Sequence, residues 1–365
     1  MKSMIQNIET IIDTLPPENR DLCKRIFNIH SRTGSLAPPP EMEPWIIERF
    51  GSLDAVKTQT IIIVENRLTF HCSLFNELRA KRPVEAAANI DIESSLKDNR
   101  ECSFCSPLTE TPADTFGRIQ GKHCITASNA AKYDALHGLV IFKQHYPFDY
   151  DAEHLADYVD TAMRWLEAAH QTMPDHIFPF IMWNCTWRAG ASITHGHMQT
   201  LLSPQPYARV SFLHHCANVY QNLFAADYWK DLGAVHTALN LSVEHEGILV
   251  FAHLNPIKEK EIWIIGHAAD TGLSWCISRV LKCYYDMGVR AFNMSLVMPP
   301  LVTAPEWADF PLLVRLVDRG NLKLKVTDIA AMEFYGGSVI SSDPFALASL
   351  LRPYFNPEQS GNRKR

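Results

Sequence analysis

The sequence contains no long apolar run. No segment of its 365 residues approaches the roughly 20 consecutive apolar residues of a membrane-spanning helix, and none near the N-terminus is typical of a signal peptide. These absences predict a cytoplasmic protein without a membrane partner. Positive charge is not in excess either, because 34 Lys and Arg residues face 40 Asp and Glu residues. The net charge of −6 provides no general attraction to nucleic acid, which is not an expected partner, so any phosphate binding must be local.

Cysteine is present, but not in the pattern of a disulfide framework. Nine cysteines, an odd number, are scattered through a long chain, which favours thiol or metal chemistry over disulfides. Only Cys102 and Cys105 lie close together, as Cys-x-x-Cys. This spacing lets two thiolates bind one tetrahedral zinc ion, which then needs two further nitrogen or sulfur ligands. Redox chemistry and coincidence are the alternatives for an isolated Cys-x-x-Cys.

Apolar and amphipathic segments repeat along the chain. The apolar stretches 137–145 and 177–184 flank a long amphipathic helix predicted over 151–173. A similar passage runs from 247 to 298, with apolar stretches on both sides of a helix near 271–285. The chain is 47% hydrophobic and can fill a sizeable core. The repeated order of strand, helix and strand predicts an α+β fold made of two related halves.

The segments outside this repeat are more polar. Isoleucine and leucine at helical spacing, followed by a proline-rich linker at 37–44, predict an N-terminal helical extension over residues 1–55. Residues 58–75 are predicted to form two strands. Residues 84–100 are predicted to form a loop, and residues 356–365 a disordered tail.

The segment ITHGHMQTLL places two histidines and a glutamine at alternate positions. If it forms a strand, His195, His197 and Gln199 share one face, and the two imidazoles lie about 6.6 Å apart along the strand. Two half-exposed histidines on a sheet surface would give the same pattern. Together with Cys102 and Cys105, His195 and the histidine that closes the apolar stretch 137–145 could form a closed Cys2His2 site. That second histidine is His145; His137, at the other end of the stretch, is compatible with a functional or a packing role.

These residues, in this order, resemble the galactose-1-phosphate uridylyltransferase branch of the histidine-triad superfamily, which includes nucleotide-sugar and dinucleotide phosphorylases. His195, His197 and Gln199 match the His-x-His-x-Gln strand of that branch. The further matches, within residues 58–205, are LRAKRP at 78–83, Cys-x-x-Cys at 102–105, the stretch ending in His145, and Asn184 followed by GAS at 190–192.

The resemblance implies a fold and an assembly. It implies two histidine-triad-like halves, residues 56–215 and 216–355, each an antiparallel sheet with packed helices. It also implies a homodimer. A structural zinc ion would be held by four ligands: Cys102, Cys105, His145 and His195.

The resemblance also implies roles in a reaction. His197 would be the nucleophile that takes a nucleotidyl group. Three residues would surround the transferred phosphate: Gln199, Ser192 and Asn184. Asn129 would contact the nucleoside. Arg79 and Arg82 would contact the phosphates, and Glu333, in the segment AMEFYGG, would contact the sugar.

The chain departs from the family pattern in two places. Thr194 and Gly196 stand where the family usually has proline. Some uridylyltransferases hold a second metal with a further His-x-His in the C-terminal half. In this chain, the corresponding segment downstream of His267 reads FPLLVRLVDRG and has no histidine. No second metal site is therefore predicted.

The chemistry of Gln199 favours a transferase. An amide can hydrogen-bond a phosphate oxygen, but it cannot act as a general acid or base at neutral pH. An anionic phosphate acceptor needs no base, whereas hydrolysis requires an activated water. The sequence therefore predicts an enzyme that moves a nucleoside monophosphate from a nucleotide sugar to a sugar 1-phosphate.

Two other functions fit the same residues. One is phosphorolysis of a nucleotide sugar or a diadenosine polyphosphate, with inorganic phosphate as the acceptor. The other is a nucleotide-binding or scaffold protein that has kept the fold and lost catalysis. Without the resemblance, the basic segment at 78–83 is equally compatible with a solvated turn.

Overall fold

A computed structural model of the chain describes residues 4–83, 91–98, 102–324 and 327–356. Its helices are α1 Ile8–Thr14, α2 Pro17–Ile26, α3 Glu43–Phe50, α4 Leu53–Lys57, α5 Ile92–Lys97, α6 Pro107–Glu110, α7 Ala152–Thr172, α8 Ala208–Phe224, α9 Tyr228–Ala238, α10 Thr271–Asp286, α11 Met332–Tyr335 and α12 Pro344–Phe355. Its strands are β1 Phe27–Ser35, β2 Thr58–Asn66, β3 Cys72–Phe75, β4 Cys124–Ser128, β5 Leu136–Phe142, β6 Phe178–Cys185, β7 His197–Ser203, β8 Ser242–His245, β9 Ile248–Ala252, β10 Ile262–Gly266, β11 Phe292–Val297, β12 Leu312–Asp318 and β13 Ser338–Ile340.

The strands form two sheets. A nine-stranded antiparallel sheet has the order β4-β5-β7-β6-β11-β12-β10-β9-β8. A smaller sheet has the order β1-β2-β3-β13, and β13 pairs with β3 in parallel. The predicted α+β class is therefore confirmed.

The large sheet is built from two copies of one unit. In the first half, β4, β5, α7, β6 and β7 follow one another along the chain, and the strands lie in the order β4-β5-β7-β6. In the second half, β9, β10, α10, β11 and β12 follow one another, with the order β9-β10-β12-β11. The halves meet where β6 pairs with β11. The two related halves predicted from the sequence are present, and their sheets are fused edge to edge into one.

Helix α7 shows how the sequence builds the core of the first half. The side chain of Asp151 caps its first turn by accepting a hydrogen bond from the backbone N–H of His154. Its buried face includes Trp165, which is fully enclosed; truncating such a tryptophan typically costs about 3–5 kcal/mol. Gly138 on β5 makes room for the indole, because a Cβ at this position would lie 2.4 Å from the Trp165 ring.

The N-terminal segment is only partly helical. Helices α1 and α2 agree with the prediction, but residues 27–35 form β1, which pairs with β2 from Phe27↔Asn66 to Ser35↔Thr58. The helical extension predicted over residues 1–55 therefore also contains a strand, which the sequence pattern did not predict. The reason is that most of β1 is exposed, so its sequence lacks the apolar alternation that identifies a half-buried strand.

Three other expectations concern loops and termini. The two strands predicted over 58–75 are present as β2 and β3. Of the loop predicted over 84–100, residues 92–97 form the short helix α5, and residues 84–90 and 99–100 lie outside the described residues. The tail predicted over 356–365 lies outside them too, except Asn356. Among the described helices, none is long and apolar enough to cross a membrane.

Candidate active site and metal centre

Four predicted metal ligands lie on three loops beside the first half of the large sheet. Cys102 and Cys105 bracket a single 3-10 turn over Ser103–Cys105. His145 follows the end of β5, and His195 precedes the start of β7. Because β5 and β7 are paired neighbours, the loop after one strand and the loop before the other emerge at the same edge of the sheet.

The ligand atoms have the spacing of a tetrahedral site. The Nδ1 atom of His195 lies 3.4 Å from Sγ of Cys102 and 3.5 Å from Sγ of Cys105. The Nδ1 atom of His145 lies 3.4 Å from Sγ of Cys105, and all four ligand atoms are within 4.8 Å of one another. A tetrahedral ion with bonds of about 2.3 Å to sulfur and about 2.0–2.1 Å to nitrogen would separate the S and N atoms by about 3.6 Å. The four residues therefore fit a metal ion.

The surroundings of His195 prepare it for coordination. Its Nε2–H donates a hydrogen bond to the carbonyl oxygen of Phe142 at 2.7 Å, which leaves Nδ1 without a proton and directed at the sulfurs. Burial lowers the pKa of His195 to about 4, so the ring is neutral. Burial also raises the pKa of the Cys105 thiol to about 11, with a contribution from Cys102. Metal binding must therefore release protons from the thiols.

His197 is the first residue of β7 and points to the same face as Gln199. Its Nδ1–H donates to the carbonyl oxygen of His195 at 2.8 Å, which leaves the Nε2 lone pair free for attack on an electrophile. The imidazole is 7% exposed, and burial lowers its pKa. The edge of Phe104, which lies between the two cysteines in sequence, packs against it with ring centroids 5.0 Å apart. The metal loop thus also fixes the ring of His197.

The strand starts at His197, four residues after the start of the segment ITHGHMQTLL that the sequence suggested as a strand. His195 lies before β7 rather than within it. Its ring therefore turns towards the cysteines, and His197 is the first residue of the strand. Gly196 allows this turn, because a Cβ there would lie 2.5 Å from the ring of Phe142. Its N–H also donates to the carbonyl oxygen of His145 at 3.3 Å. Proline at position 196, as in the family pattern, would lose this hydrogen bond and meet the same ring.

His137 is a site residue that sequence reasoning left undecided. It lies on β5 and is fully buried. Its Nδ1 accepts a hydrogen bond from the N–H of Tyr133 at 3.0 Å, so the proton is on Nε2. This Nε2–H donates to Oε1 of Gln199 at 2.8 Å, and the amide nitrogen of Asn129 lies 3.1 Å from the same ring atom. The amide of Gln199 is thereby oriented with its NH2 group away from His137.

The signal for His137 was present but insufficient. A histidine at the head of the apolar stretch is unusual, since the residues that follow it up to Phe142 are all buried. Its partner is 62 residues away, and only the pairing of β5 with β7 brings the two together. Burial lowers the pKa of His137, so it acts as a neutral hydrogen-bonding group.

Ser192 lies beside the candidate metal centre, whereas Asn184 lies where the two halves meet. Ser192 is exposed and lines a cavity of about 640 Å³ together with Cys102, His145 and Thr194. Asn184 is on the open face of β6, and its Oδ1 accepts a hydrogen bond at 2.7 Å from Asn293 of the second half.

Arg79, Arg82 and Glu333 lie in a different place. They line a cavity of about 550 Å³ with other cationic residues, namely Arg188, Lys258 and Arg319. No residue lines both this cavity and the one beside the metal centre. Glu333 forms an ion pair with Lys258 at 3.1 Å. Arg79 and Arg82 have no carboxylate partner among the described residues; burial and the charge of Arg82 lower the pKa of Arg79.

Solved structures share this architecture, although no protein-family profile and no curated protein matches the sequence. An ADP-glucose phosphorylase from Arabidopsis thaliana with bound ADP-glucose superposes with a TM-score of 0.60 at 17% identity, over 80% of this chain and 98% of that one. The chain has the fold of this protein. A galt-like protein from Arabidopsis thaliana gives 0.59 at 16% identity, over 80% and 99%. A uridylyltransferase gives 0.56 at 12%, over 81% and 98%.

These comparisons confirm the uridylyltransferase fold that the sequence resemblance implied. At such identities the likeness concerns the fold, so the chemistry must be argued from the site itself.

Metal analysis tests the Cys2His2 cluster within this uridylyltransferase fold. We expect the purified protein to hold one metal ion per chain by elemental mass spectrometry, and Cys105→Ser to lose it, because three ligands bind far more weakly than four. Loss of the ion should also lower the free energy of unfolding by at least about 2–3 kcal/mol. Cys72→Ser, on β3, is the matched control and should retain the metal. Equal metal content in the two variants would contradict the assignment.

Proposed function

We propose that this chain is a nucleotidyltransferase that moves a nucleoside monophosphate from a nucleotide sugar to a sugar 1-phosphate through a nucleotidyl-His197 intermediate. The observation that carries the proposal is the pairing on one sheet face of His197, with a free Nε2, and Gln199, with an amide oriented by His137. A nucleophile and a fixed hydrogen-bond donor are the groups that phosphoryl-type transfer requires.

In the first step, Nε2 of His197 attacks the α-phosphorus of the nucleotide sugar. A P–N bond forms, the P–O bond to the leaving group breaks, and the sugar 1-phosphate departs with the electron pair. The attacked imidazole gains positive charge, which the hydrogen bond from its Nδ1–H to the carbonyl of His195 stabilises. The NH2 group of Gln199 donates to a phosphate oxygen that becomes more negative in the transition state.

In the second step, a phosphate oxygen of the acceptor attacks the same phosphorus. The P–O bond forms, the P–N bond breaks, and His197 recovers its lone pair. The acceptor is already ionised near neutral pH, so no side chain has to remove a proton. This agrees with an amide, rather than a third histidine, at position 199.

We further propose that the metal ion is zinc and that its role is structural. Two thiolates and two imidazoles form the donor set of closed tetrahedral zinc sites. The ion would hold the loops of Cys102–Cys105, His145 and His195 together, and so keep Phe104 against the ring of His197. All four coordination positions are filled by protein, which leaves none for substrate.

The acceptor separates two versions of the reaction. Transfer to a sugar 1-phosphate and phosphorolysis by inorganic phosphate use the same His197 chemistry. Phosphorolysis has one specific support, since a structure with the same fold is an ADP-glucose phosphorylase. Each acceptor is supplied in turn to isolated nucleotidyl-enzyme. The acceptor that releases the nucleotide identifies the reaction.

The separation of the two groups of substrate residues supports a shared site in a homodimer. Arg79, Arg82 and Glu333 line a cavity that includes none of the residues around His197. In the proposed dimer, the cationic cavity of one subunit meets the His197 face of its partner. Five cationic side chains and four carboxylates line this cavity, and Arg79 and Arg82 form no ion pair with a carboxylate among the described residues. These two guanidinium groups suit the phosphates of a nucleotide sugar.

Intact-mass spectrometry tests the covalent step. After incubation with a panel of nucleotide sugars and dinucleotides and no acceptor, the wild type should gain the mass of one nucleoside monophosphate, and His197→Ala should gain nothing. His215→Ala, at an exposed position of α8, is the matched control and should still form the adduct. A folded, metal-loaded wild type that gains no mass with any donor, yet binds nucleotide, would favour the non-catalytic binding protein.

His137→Phe tests the orientation of Gln199. The variant removes the donor to Oε1 of Gln199, so single-turnover nucleotidylation of His197 should slow by about 10–100-fold, on the scale of a lost transition-state hydrogen bond. Nucleotide affinity should change much less. His137→Gln keeps a donor and should recover part of the rate. A purely structural role would instead appear as an equal loss of stability and binding, with no rescue by glutamine.

Co-expression of two inactive variants tests the shared site. His197→Ala supplies intact arginines, and the double variant Arg79→Ala, Arg82→Ala supplies an intact nucleophile. If the residues act across a dimer, random mixing gives half heterodimers with one complete site each, and roughly a quarter of wild-type activity should return. Activity no higher than the sum of the two variants alone would show that the arginines do not act in the partner's site.

A further inference from the structure

A further polar cavity lies on the large sheet in the second half. It is on the face that corresponds to the face of the first half that carries His197. Strands β10 and β12 are the counterparts of β5 and β7, and they place Trp263 directly opposite Arg315. Both side chains line a cavity of about 250 Å³, which α8 and the β2–β3 turn cover from the other side. None of its lining residues lines the cavity at the metal centre.

The cavity carries an excess of positive charge. Arg315 lies over the Trp263 ring, with the guanidinium carbon 5.2 Å from the centroid. Its Nε donates to the fully buried Glu261 at 2.6 Å, and its terminal NH2 groups have no protein partner in the described chain. Arg209, at the start of α8, also lines the cavity. It forms no ion pair with a carboxylate among the described residues. Among the described residues that line the cavity, Glu333 is the only one with a carboxylate, and it is already paired with Lys258.

Two histidines, of which His253 is buried and His71 is half-buried, add neutral hydrogen-bonding groups. His253 is 5% exposed, and its Nδ1 accepts the N–H of Asn255 at 3.1 Å, so the proton is on Nε2. This Nε2–H has no acceptor among the described residues, although His253 lines the cavity. His71 points its Nε2 at the carbonyl oxygen of Pro256, 3.3 Å away, which leaves Nδ1 free. A ring N–H without a protein acceptor at the wall of a cavity is available to donate to a ligand.

We propose that this cavity binds a small phosphorylated ligand of about the size of a monosaccharide phosphate. Two guanidinium groups and the Nε2–H of His253 converge on one space, and planar guanidinium donors match the oxygens of a phosphate. The volume is below the roughly 300–1,000 Å³ typical of sites for larger ligands, which excludes an entire nucleotide sugar. Trp263 and the exposed ring of Phe212 provide apolar surface for the remainder of the ligand. The cavity adjoins the one that contains Arg79 and Arg82, because Ile257 and Glu333 line both. The proposal rests on Arg209, Arg315 and His253, and none of these takes part in the proposed nucleotidyl transfer at His197.

Side-chain nitrogen NMR of the full-length protein reports on this cavity directly. The ring signals of His71 and His253, assigned with His71→Gln and His253→Gln, are followed during titration with inorganic phosphate, glucose 1-phosphate or glucose. We expect both signals to shift saturably with the two phosphates and not with glucose. Tighter binding of glucose 1-phosphate would mean that the sugar is recognised too, and equal binding would mean that the phosphate group alone is.

Arg209→Ala provides the decisive comparison, because Arg209 is exposed and has no protein partner whose loss would unfold the chain. Its apparent dissociation constant for phosphate should rise by about tenfold or more. Arg20→Ala on α2, which lines none of the cavities described, removes the same charge and should leave the constant unchanged. Absence of shifts in the wild type, or equal binding by the two variants, would overturn the proposal. Nucleotidylation of His197 is measured separately and should be unaffected by Arg209→Ala.

Discussion

Three consecutive residues, His195 to His197, contribute a ligand to the candidate metal cluster, carry the proposed nucleophile and pack against an aromatic core. The ring of His195 is fixed by the carbonyl of Phe142, and its own carbonyl fixes the ring of His197. Gly196 must lack a side chain because the ring of Phe142 occupies the space. One short main-chain segment therefore sets both imidazole tautomers, so that one ring presents Nδ1 to the metal and the other presents Nε2 to a substrate.

The rest of the first half supports this segment. Phe142, whose carbonyl holds His195, stacks on Tyr158 of α7 at 3.8 Å, so the helix packing behind the sheet is connected to the metal site in front of it. On the neighbouring strand, His137 fixes the amide of Gln199. The proposed chemistry depends on hydrogen bonds that are already made in the folded chain, which is the arrangement that electrostatic preorganisation requires.

Fusion of the two halves at β6 and β11 creates a single long sheet with two differently used faces. At the seam, Asn184 is bonded to Asn293, which accepts in turn from Arg319, and Arg319 pairs with Asp328. This chain of polar contacts runs from the nucleophile's half to the cationic cavity of Arg79 and Arg82. The duplicated unit has kept polar groups on its second face while losing every histidine that a second triad strand would need.

Local pattern and the family resemblance were enough to predict the four residues of the candidate metal cluster, helix α7 and the doubled α+β plan, because spacing along a strand or helix decides which side chains share a face. It was not enough for β1, whose exposed sequence lacks alternation, or for His137, whose function depends on a partner in a strand paired through sheet order. The grouping of Arg79 and Arg82 away from His197, and the meeting of His71, Arg209, His253 and Arg315 in one cavity, were likewise decided only by the tertiary structure. Contacts between residues distant in sequence are set by strand register and by how layers pack, and neither is encoded in the spacing of a short segment.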